Sequence, residues 1–224
     1  MKKVSVIINA RLSSTRVPNK LLRPFANSTL FEIALNKISQ ISFADNLYVG
    51  IGDEQLIEIA NKYKKVQILR REPQSIAKGT HLQKVTFDHY KNVETDYIFI
   101  INPCQPLLSL NTFQMAFETF QSTDFKSYTS VVSTGDWIFD RNGSPLTNTD
   151  KNNVTTNKDV SFYKASHSFH IINKNLFLKN GFHWEFIEND PALIPISNKE
   201  IYDVDEENEF LVTEYMYKMS NNLL

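Results

Sequence analysis

The residues of this 224-residue chain that could do chemistry fall into separate stretches. Residues 10–20, ARLSSTRVPNK, bring Arg11, Arg16 and Lys20 together with Ala10, Ser13, Ser14 and Thr15. Permanent cations, hydroxyls and loop amides are donors suited to phosphate oxygens. The stretch contains no glycine, so it is neither a Walker loop nor a dinucleotide fingerprint. A solvated basic loop would have the same residue types, and the loop's own content does not separate the two. Near the other end stands Asp203-Val204-Asp205. In an extended segment alternate side chains share a side, so both carboxylates face one way and Val204 the other. Two hard oxygen ligands suit Mg²⁺, which completes its shell with water and substrate phosphates. The alternative is capping, because Glu206, Glu207 and Glu209 follow and a helix N-terminus favours acids.

Between these ends lie two smaller groups. Arg70-Arg71 follow the apolar run VQIL and could face a nucleotide or solvent. Asn102-Pro103-Cys104-Gln105-Pro106 follow the most apolar run of the chain, YIFII, and the two prolines stiffen a turn. Cys104 reads as a buried, unreactive thiol, since no activating partner can be placed beside it. His81, His89, His167, His170 and His183 have no metal-ligand spacing and read as core or surface residues.

The elements that must position these groups alternate regularly. Apolar runs at 4–8 (VSVII), 47–51, 66–69, 97–101, 128–133, 168–172 and 192–196 predict strands, and 176–178 reads as a continuation of the sixth. Helical stripes separate them: Leu30, Ile33, Ala34, Ile38 and Ile41 behind a Thr29–Glu32 capping box, then Leu56, Ile59, Ala60 and Tyr63 capped by Asp53. Thr80-x-x-Gln83 opens a further helix, residues 110–120 carry Leu110, Phe113, Phe117 and Phe120, and a last helix carries Leu211, Tyr215 and Met219. This spacing indicates βαβ units and a mostly parallel, doubly wound sheet. In such sheets the ligand crevice lies at the carboxyl ends of the strands, which brings 10–20, Arg70-Arg71 and 102–106 to one edge. Residues 135–158 interrupt the rhythm with a long polar stretch, bracketed by short strands at 137–139 and 160–163 as in a projecting arm.

The totals exclude several classes of function. A formal charge of −1 argues against a general nucleic-acid binder, so any electropositive site is local. One cysteine excludes an intrachain disulfide and fits a reducing compartment. The N-terminal MKK precedes only a short apolar run, and no run approaches membrane-spanning length, so a soluble, cytoplasmic protein without a membrane partner is expected. The continuous pattern predicts one domain, residues 1–224.

Taken in order, the motifs resemble those of the sugar-acid cytidylyltransferases, which make CMP-sialic acid, CMP-Kdo and related CMP-nonulosonates. ARLSSTRVPNKLL resembles their opening A-R-x-x-S-x-R-x-P-x-K, and LRREPQSIAKGTH their R-R-P-x-x-L-A segment. IINPCQPLLS resembles their L-Q-P-T-S-P-L-R turn, and DVDEENEFLVTEYMY their D-I-D-T-x-E-D-F-x-x-A-E ending. The resemblance spans nearly the whole chain, with a first loop closest to the Kdo branch. It implies a three-layer α/β/α nucleotidyltransferase fold of the glycosyltransferase-A-like kind, a mainly parallel sheet, and a homodimer built through an arm at 135–163. It implies CTP, an acidic 2-keto sugar and Mg²⁺. By position, Ala10, Arg11, Ser14, Arg16 and Lys20 would hold the triphosphate and Arg71 the cytosine or ribose. Asn102 and Gln105 would face the sugar, Asp203 and Asp205 the metal, and Arg11, Lys20 and Asp205 would be catalytic. The chain departs from the pattern at Asn102, at Cys104-Gln105, at Leu21 and at Thr156-Asn157, where the family has an Arg-Gln pair. These departures leave open a same-fold enzyme acting on a sugar or amino-acid phosphate, or a catalytically weak nucleotide-binding relative.

Overall fold

The computed structural model describes residues 1–77, 79, 82–147 and 162–223. The chain begins with β1 (Val4–Asn9), a two-residue ribbon of β2 (Pro24–Phe25) and β3 (Ser28–Thr29), α1 (Leu30–Ile38) and β4 (Asn46–Ile51). It continues with α2 (Glu54–Ala60), β5 (Val66–Arg70), α3 (Pro73–Ile76), α4 (Gln83–Thr86) and a 3₁₀ turn at Asp88–Asn92. Then come β6 (Tyr97–Ile101), α5 (Leu110–Ser122), β7 (Ser127–Thr134), β8 (Phe162–Asn173), α6 (Lys174–Asn180), β9 (Ala192–Pro195) and α7 (Glu207–Ser220).

Seven strands form one sheet in the order β5-β4-β1-β6-β8-β7-β9. Pairs β4/β5, β1/β4, β1/β6 and β7/β9 are parallel, while β8 is antiparallel to both β6 and β7, so β8 alone runs against the rest. The apolar runs alternate between two cores, as side chains along a strand must. Val4, Val6 and Ile8 of β1 pack with α1, α2, α5 and Phe210 of α7 on one face. Ile7 packs on the other with Tyr48, Tyr90, Ile98, Ile100, Ile172 and Phe177 of α6. The three layers are therefore present, with a thinner second layer made of the 3₁₀ turn and α6.

Local chemistry explains most boundaries. The Thr29 hydroxyl accepts from the Glu32 amide at 3.2 Å and starts α1, but it also donates to the Glu32 carboxylate at 3.1 Å, so only the N-cap half of the expected capping box forms. Residues 176–178 are not a continuing strand but part of α6. The Asn173 side chain accepts from the Leu176 amide, and Gly181 ends the helix at φ 84°, where only glycine is unstrained. The helix expected from Thr80 shrinks to the four residues of α4, and Thr80 and His81 lie outside the described residues.

β7 and β8 run on together past the sheet, with Thr134 opposite Phe162. The strand expected at 137–139 is reduced to a single bridge between Phe139 and Pro145, and 148–161 of the expected arm lie outside the described residues. No helix among the described residues is long and apolar enough to cross a membrane.

Candidate active site

The loop after β1 is tied down at its apolar positions and open at its cationic ones. Ala10 and Val17 are buried, whereas Arg11, Thr15 and Arg16 are exposed. The Ala10 amide donates to the Gly50 carbonyl at 3.0 Å, and the Leu12 amide donates to the Asp53 carboxylate at 3.2 Å. Asp53 occupies the N-cap position of α2, yet its side chain makes no capping bond there. Its carboxylate braces the basic loop instead. The Ser14 amide donates to Leu12 and the Ser13 hydroxyl to the Ile76 carbonyl, which ties the loop to α3. Arg11 forms no ion pair among the described residues, so its guanidinium is available to an anion.

Arg71 does not stand in the cleft as its expected nucleotide contact would. It is 6% exposed, and its guanidinium donates to the Ser75 hydroxyl at 3.2 Å, the Ser75 carbonyl at 2.8 Å and the Thr86 carbonyl at 3.1 Å. A long contact at 3.5 Å reaches the Ala10 carbonyl. Burial, with the Arg11 charge adding to it, pushes its pKa down to about 10, so it remains a cation. Its place is under the loop, where it joins α3 and α4 to the end of β1. Arg70 is exposed and pairs with Glu54 at 2.8 Å.

The last part of the chain closes over the first. Val204 is fully buried, and its amide donates to the Cys104 carbonyl at 3.0 Å, which pins the Asp-Val-Asp segment to the turn after β6. Asp205 then meets the basic loop: Lys20 Nζ lies 3.0 Å from one carboxylate oxygen and Arg16 3.0 Å from the other. Lys20 also donates to the Val204 carbonyl at 2.6 Å. Asp205 is not the helix cap. Glu206 and Glu209 form the capping box of α7, and the Glu209 carboxylate accepts from the amides of Asp205 and Glu206. The capping reading of Asp205 is therefore replaced by an ion-pair cluster.

Asp203 is held differently. Its Oδ2 accepts from Asn102 Nδ2 at 2.9 Å and Gln105 Nε2 at 3.3 Å, while Oδ1 is buried without a partner among the described residues. Burial and the neighbouring Asp205 charge raise its pKa against those two hydrogen bonds. For Asp205 burial works toward the neutral acid, but Lys20 and Arg16 outweigh it and the pKa is lowered. Two carboxylates two residues apart are thus driven in opposite directions by their surroundings. Burial also opposes the Lys20 charge, but the neighbouring Cys104 and Asp205 together outweigh it and its pKa is raised. Cys104 is buried, and that burial pushes its thiol up to about 11, so it is the inert thiol expected.

The floor under Asp203 is a bulge in β8. Register jumps from Thr129 opposite His170 to Val131 opposite Ala165, so β8 carries extra residues between them. Ser130 fills the bulge: its hydroxyl accepts from the amides of Ser168 and Phe169, each at 3.1 Å, and from the Ser166 hydroxyl at 2.7 Å. His167 takes φ 52° at the crest. The bulge turns the Ser166 carbonyl toward Gln105 at 2.8 Å and the His167 carbonyl toward Asn102 at 3.2 Å. Gln105, 2% exposed, therefore holds Asp203 from below instead of lining the cleft.

Beyond Asp203 opens a cleft of about 640 Å³, walled by Lys164 and His167 of β8, Asn198, Tyr202 and the first turns of α7. Sequence reasoning named neither Lys164 nor Thr213 on that wall, nor the Ser130 network or the Asp53 brace. A serine triplet split between two strands far apart along the chain leaves no local pattern, and Asp53 has the ordinary signature of a cap. Of the histidines, His89 is a core residue, 3% exposed and 2.8 Å from Asn9, and the half-buried His170 meets Thr129 at 2.9 Å. Burial pushes His89 and His170 down to about 3 and His183 to about 4.

The described residues contain no group of three or more His, Cys, Asp or Glu side chains placed to hold a metal ion. Of the acid pair, Asp203 Oδ1 is a hard oxygen acceptor without a partner among the described residues, as a cation ligand would be, while both Asp205 oxygens are taken by Lys20 and Arg16.

A family model described as cytidylyltransferase matches residues 5–217. The spore coat polysaccharide biosynthesis protein SpsF of Bacillus subtilis (strain 168) is 35% identical over 63 residues, 26% of this chain and 26% of that protein. The chain thus matches about a quarter of that relative's length. CMP:2-keto-3-deoxy-manno-octonic acid synthetase complexed with CTP superposes with a TM-score of 0.68 at 11% identity, over 99% of this chain and 100% of that one. 4-Diphosphocytidyl-2C-methyl-D-erythritol synthase from Anaerococcus prevotii DSM 20548 gives 0.69 at 14% identity, over 96% of this chain and 95% of that one. At these identities the likeness is one of fold.

Proposed function

We propose, from the premise that this chain belongs to the cytidylyltransferase family, that it couples CTP to an acidic 2-keto sugar of the sialic-acid-like, nonulosonate kind. The products would be a CMP-sugar and pyrophosphate, used in surface-glycan synthesis as the name of the SpsF relative suggests. The observation that carries this reading is the Lys20 bridge. A lysine of the first basic loop reaches Val204 and Asp205 at the far end of the chain, so the loop's cations and the acidic pair lie side by side.

In the transfer, an acceptor hydroxyl oxygen bonds to the α-phosphorus as the bond from that phosphorus to the pyrophosphate oxygen breaks. The electron pair leaves with pyrophosphate, and the hydroxyl proton is given up to water or a nearby carboxylate. Such a reaction needs in-line placement and charge neutralisation more than covalent help. Arg11 offers an unpaired cation to the triphosphate, with Ala10 and Ser14 in the same loop. Arg16 and Lys20 are held by Asp205 and would share themselves between it and the phosphates. Arg71 supports the loop from beneath. Asn102 and Gln105 keep Asp203 oriented between the nucleotide loop and the acceptor cleft. Mg²⁺ suits the oxygens of Asp203 and Asp205, and when bound it would supply further neutralisation of the phosphate charge. A homodimer through the 135–163 segment fits the exposed Trp137, Phe139 and Leu146 at its base.

Pyrophosphate release tests the reading, with CTP, Mg²⁺ and a panel of 2-keto sugar acids. Asp205→Asn should remove turnover while leaving the circular dichroism spectrum intact. Full turnover in that variant, or preference for another nucleotide over CTP, would overturn it. A second reading is cytidylyl transfer to a sugar or amino-acid phosphate. The equally close fold of the methylerythritol enzyme favours including such acceptors in the same panel.

A further inference from the structure

We infer that Asp205, with Glu206 beside it, is an internal anion that occupies two cations of the first loop in the free protein. A polyphosphate must then displace it to bind, an inference that rests on the nucleotide reading given above. Of the three cations in that loop, Arg11 forms no ion pair among the described residues, while the other two are matched by carboxylates from the far end of the chain. Arg16 reaches Asp205 at 3.0 Å and Glu206 at 3.3 Å through different nitrogens, and Lys20 reaches the second Asp205 oxygen at 3.0 Å. Both oxygens of one carboxylate thus hold cations, an arrangement that a phosphate group offers equally well. Three cations against two carboxylates leave this part of the free protein with one net positive charge.

The surroundings decide which contacts can be given up. The Lys20 ammonium has three donors, and one is spent on the Val204 carbonyl at 2.6 Å. Val204 is fixed by its own burial and by its amide hydrogen bond to Cys104, so that contact stays. The Asp205 side chain is 41% exposed and can turn to solvent while Val204 remains in place. Arg16, 56% exposed, can change partners in the same way. Arg23 provides the contrast: it forks onto Glu207 at 2.6 and 2.7 Å and lies over the Phe210 ring at 4.2 Å, so it is committed to α7. Asp205 cannot hold both cations and face a metal ion at once, and once displaced its oxygens are free for that use.

The test uses the full chain in EDTA at physiological ionic strength, with inorganic tripolyphosphate and CTP titrated by calorimetry. Asp205→Asn removes the competing charge at nearly constant shape. It should bind tripolyphosphate about tenfold more tightly than wild type, the size of two partly exposed ion pairs, and CTP should gain similarly. Glu207→Gln removes the same charge nearby but frees neither Arg16 nor Lys20, and should change affinity by no more than about twofold. Glu206→Gln releases Arg16 alone and should gain about threefold; it carries the test if Asp205→Asn does not fold by circular dichroism. The substitution expected to remove turnover thus tightens metal-free binding, which loss of a structural contact would not do. Equal or weaker binding by the Asp205 and Glu206 variants, or an equal gain in Glu207→Gln, overturns the inference. So does a failure of wild type and all three variants to bind tripolyphosphate. Wild-type protein that binds tripolyphosphate but prefers another nucleoside triphosphate to CTP sinks the nucleotide reading instead, and the tripolyphosphate series still decides the role of Asp205.

Discussion

Replacing Arg71 with methionine separates a buried brace from a nucleotide contact, and the structure gives the size of the effect. The guanidinium makes two short bonds to carbonyls, Ser75 at 2.8 Å and Thr86 at 3.1 Å, and one to the Ser75 hydroxyl at 3.2 Å. Methionine keeps much of the stem but leaves both carbonyls unpaired in a site where the residue is 6% exposed. Each unpaired buried group costs about 1–3 kcal/mol, and relief of the buried charge offsets part of the sum. The net loss should be about 3 kcal/mol, or roughly 6–12 °C in midpoint for a chain of this size. Arg71→Lys should recover only part of it, because an ammonium cannot fork to two elements at once. Urea denaturation and calorimetric melting read the stability, and initial rates against CTP read the affinity. Unchanged stability in Arg71→Met, together with a CTP KM raised more than about tenfold, would refute the brace and restore the direct contact.

Other perturbations should follow the same geometry. Asp203→Asn should reduce kcat by about a hundredfold or more with a thermal midpoint that is unchanged or higher at neutral pH. Its pKa is raised in the fold, so ionised Asp203 opposes folding above the usual carboxylate range; a clearly lower midpoint would contradict this. Ser130→Ala should cost about 2 kcal/mol and raise the acceptor KM more than the CTP KM, since the bulge supports Asn102 and Gln105; equal rises in both would count against that floor. Lys37 donates to the Pro106 carbonyl at 2.7 Å, and burial pushes its pKa from the usual 10.5 down to about 8. Between those values the unfolded chain holds the proton more tightly than the fold, so this group makes stability rise as pH increases from about 8 to 10.5. Lys37→Met should flatten that rise in urea titrations, and an unaltered slope would assign it elsewhere.

Much of the fold was legible because burial leaves a periodic trace. Strands covered on both faces must be apolar at nearly every position, which is why residues 4–8 and 97–101 stand out. The rule that ligands sit at the carboxyl ends of parallel strands then brought residues 10–20 and 102–106 to one edge. The 176–178 stretch was misread because three residues have no measurable period, and Asn173 and Gly181 settled it as a helix. Asp205 could be read as cap or ligand from its acidic neighbours alone, and only the structure shows Glu206 and Glu209 taking the cap.

The layered α/β plan, the basic first loop, the acidic pair with Val204 turned inward and the inert character of Cys104 could all be read along the chain. These follow from residue type and short spacing, where local sterics and hydrophobic alternation act. The tertiary structure decided which of those residues face the cleft. Arg71 and Gln105 are turned under it, Asp205 is joined to Lys20 across 185 positions, and Ser130 builds a bulge from a neighbouring strand. A hydrogen bond between distant segments depends on how the sheet is assembled, and no spacing along the chain encodes that distance.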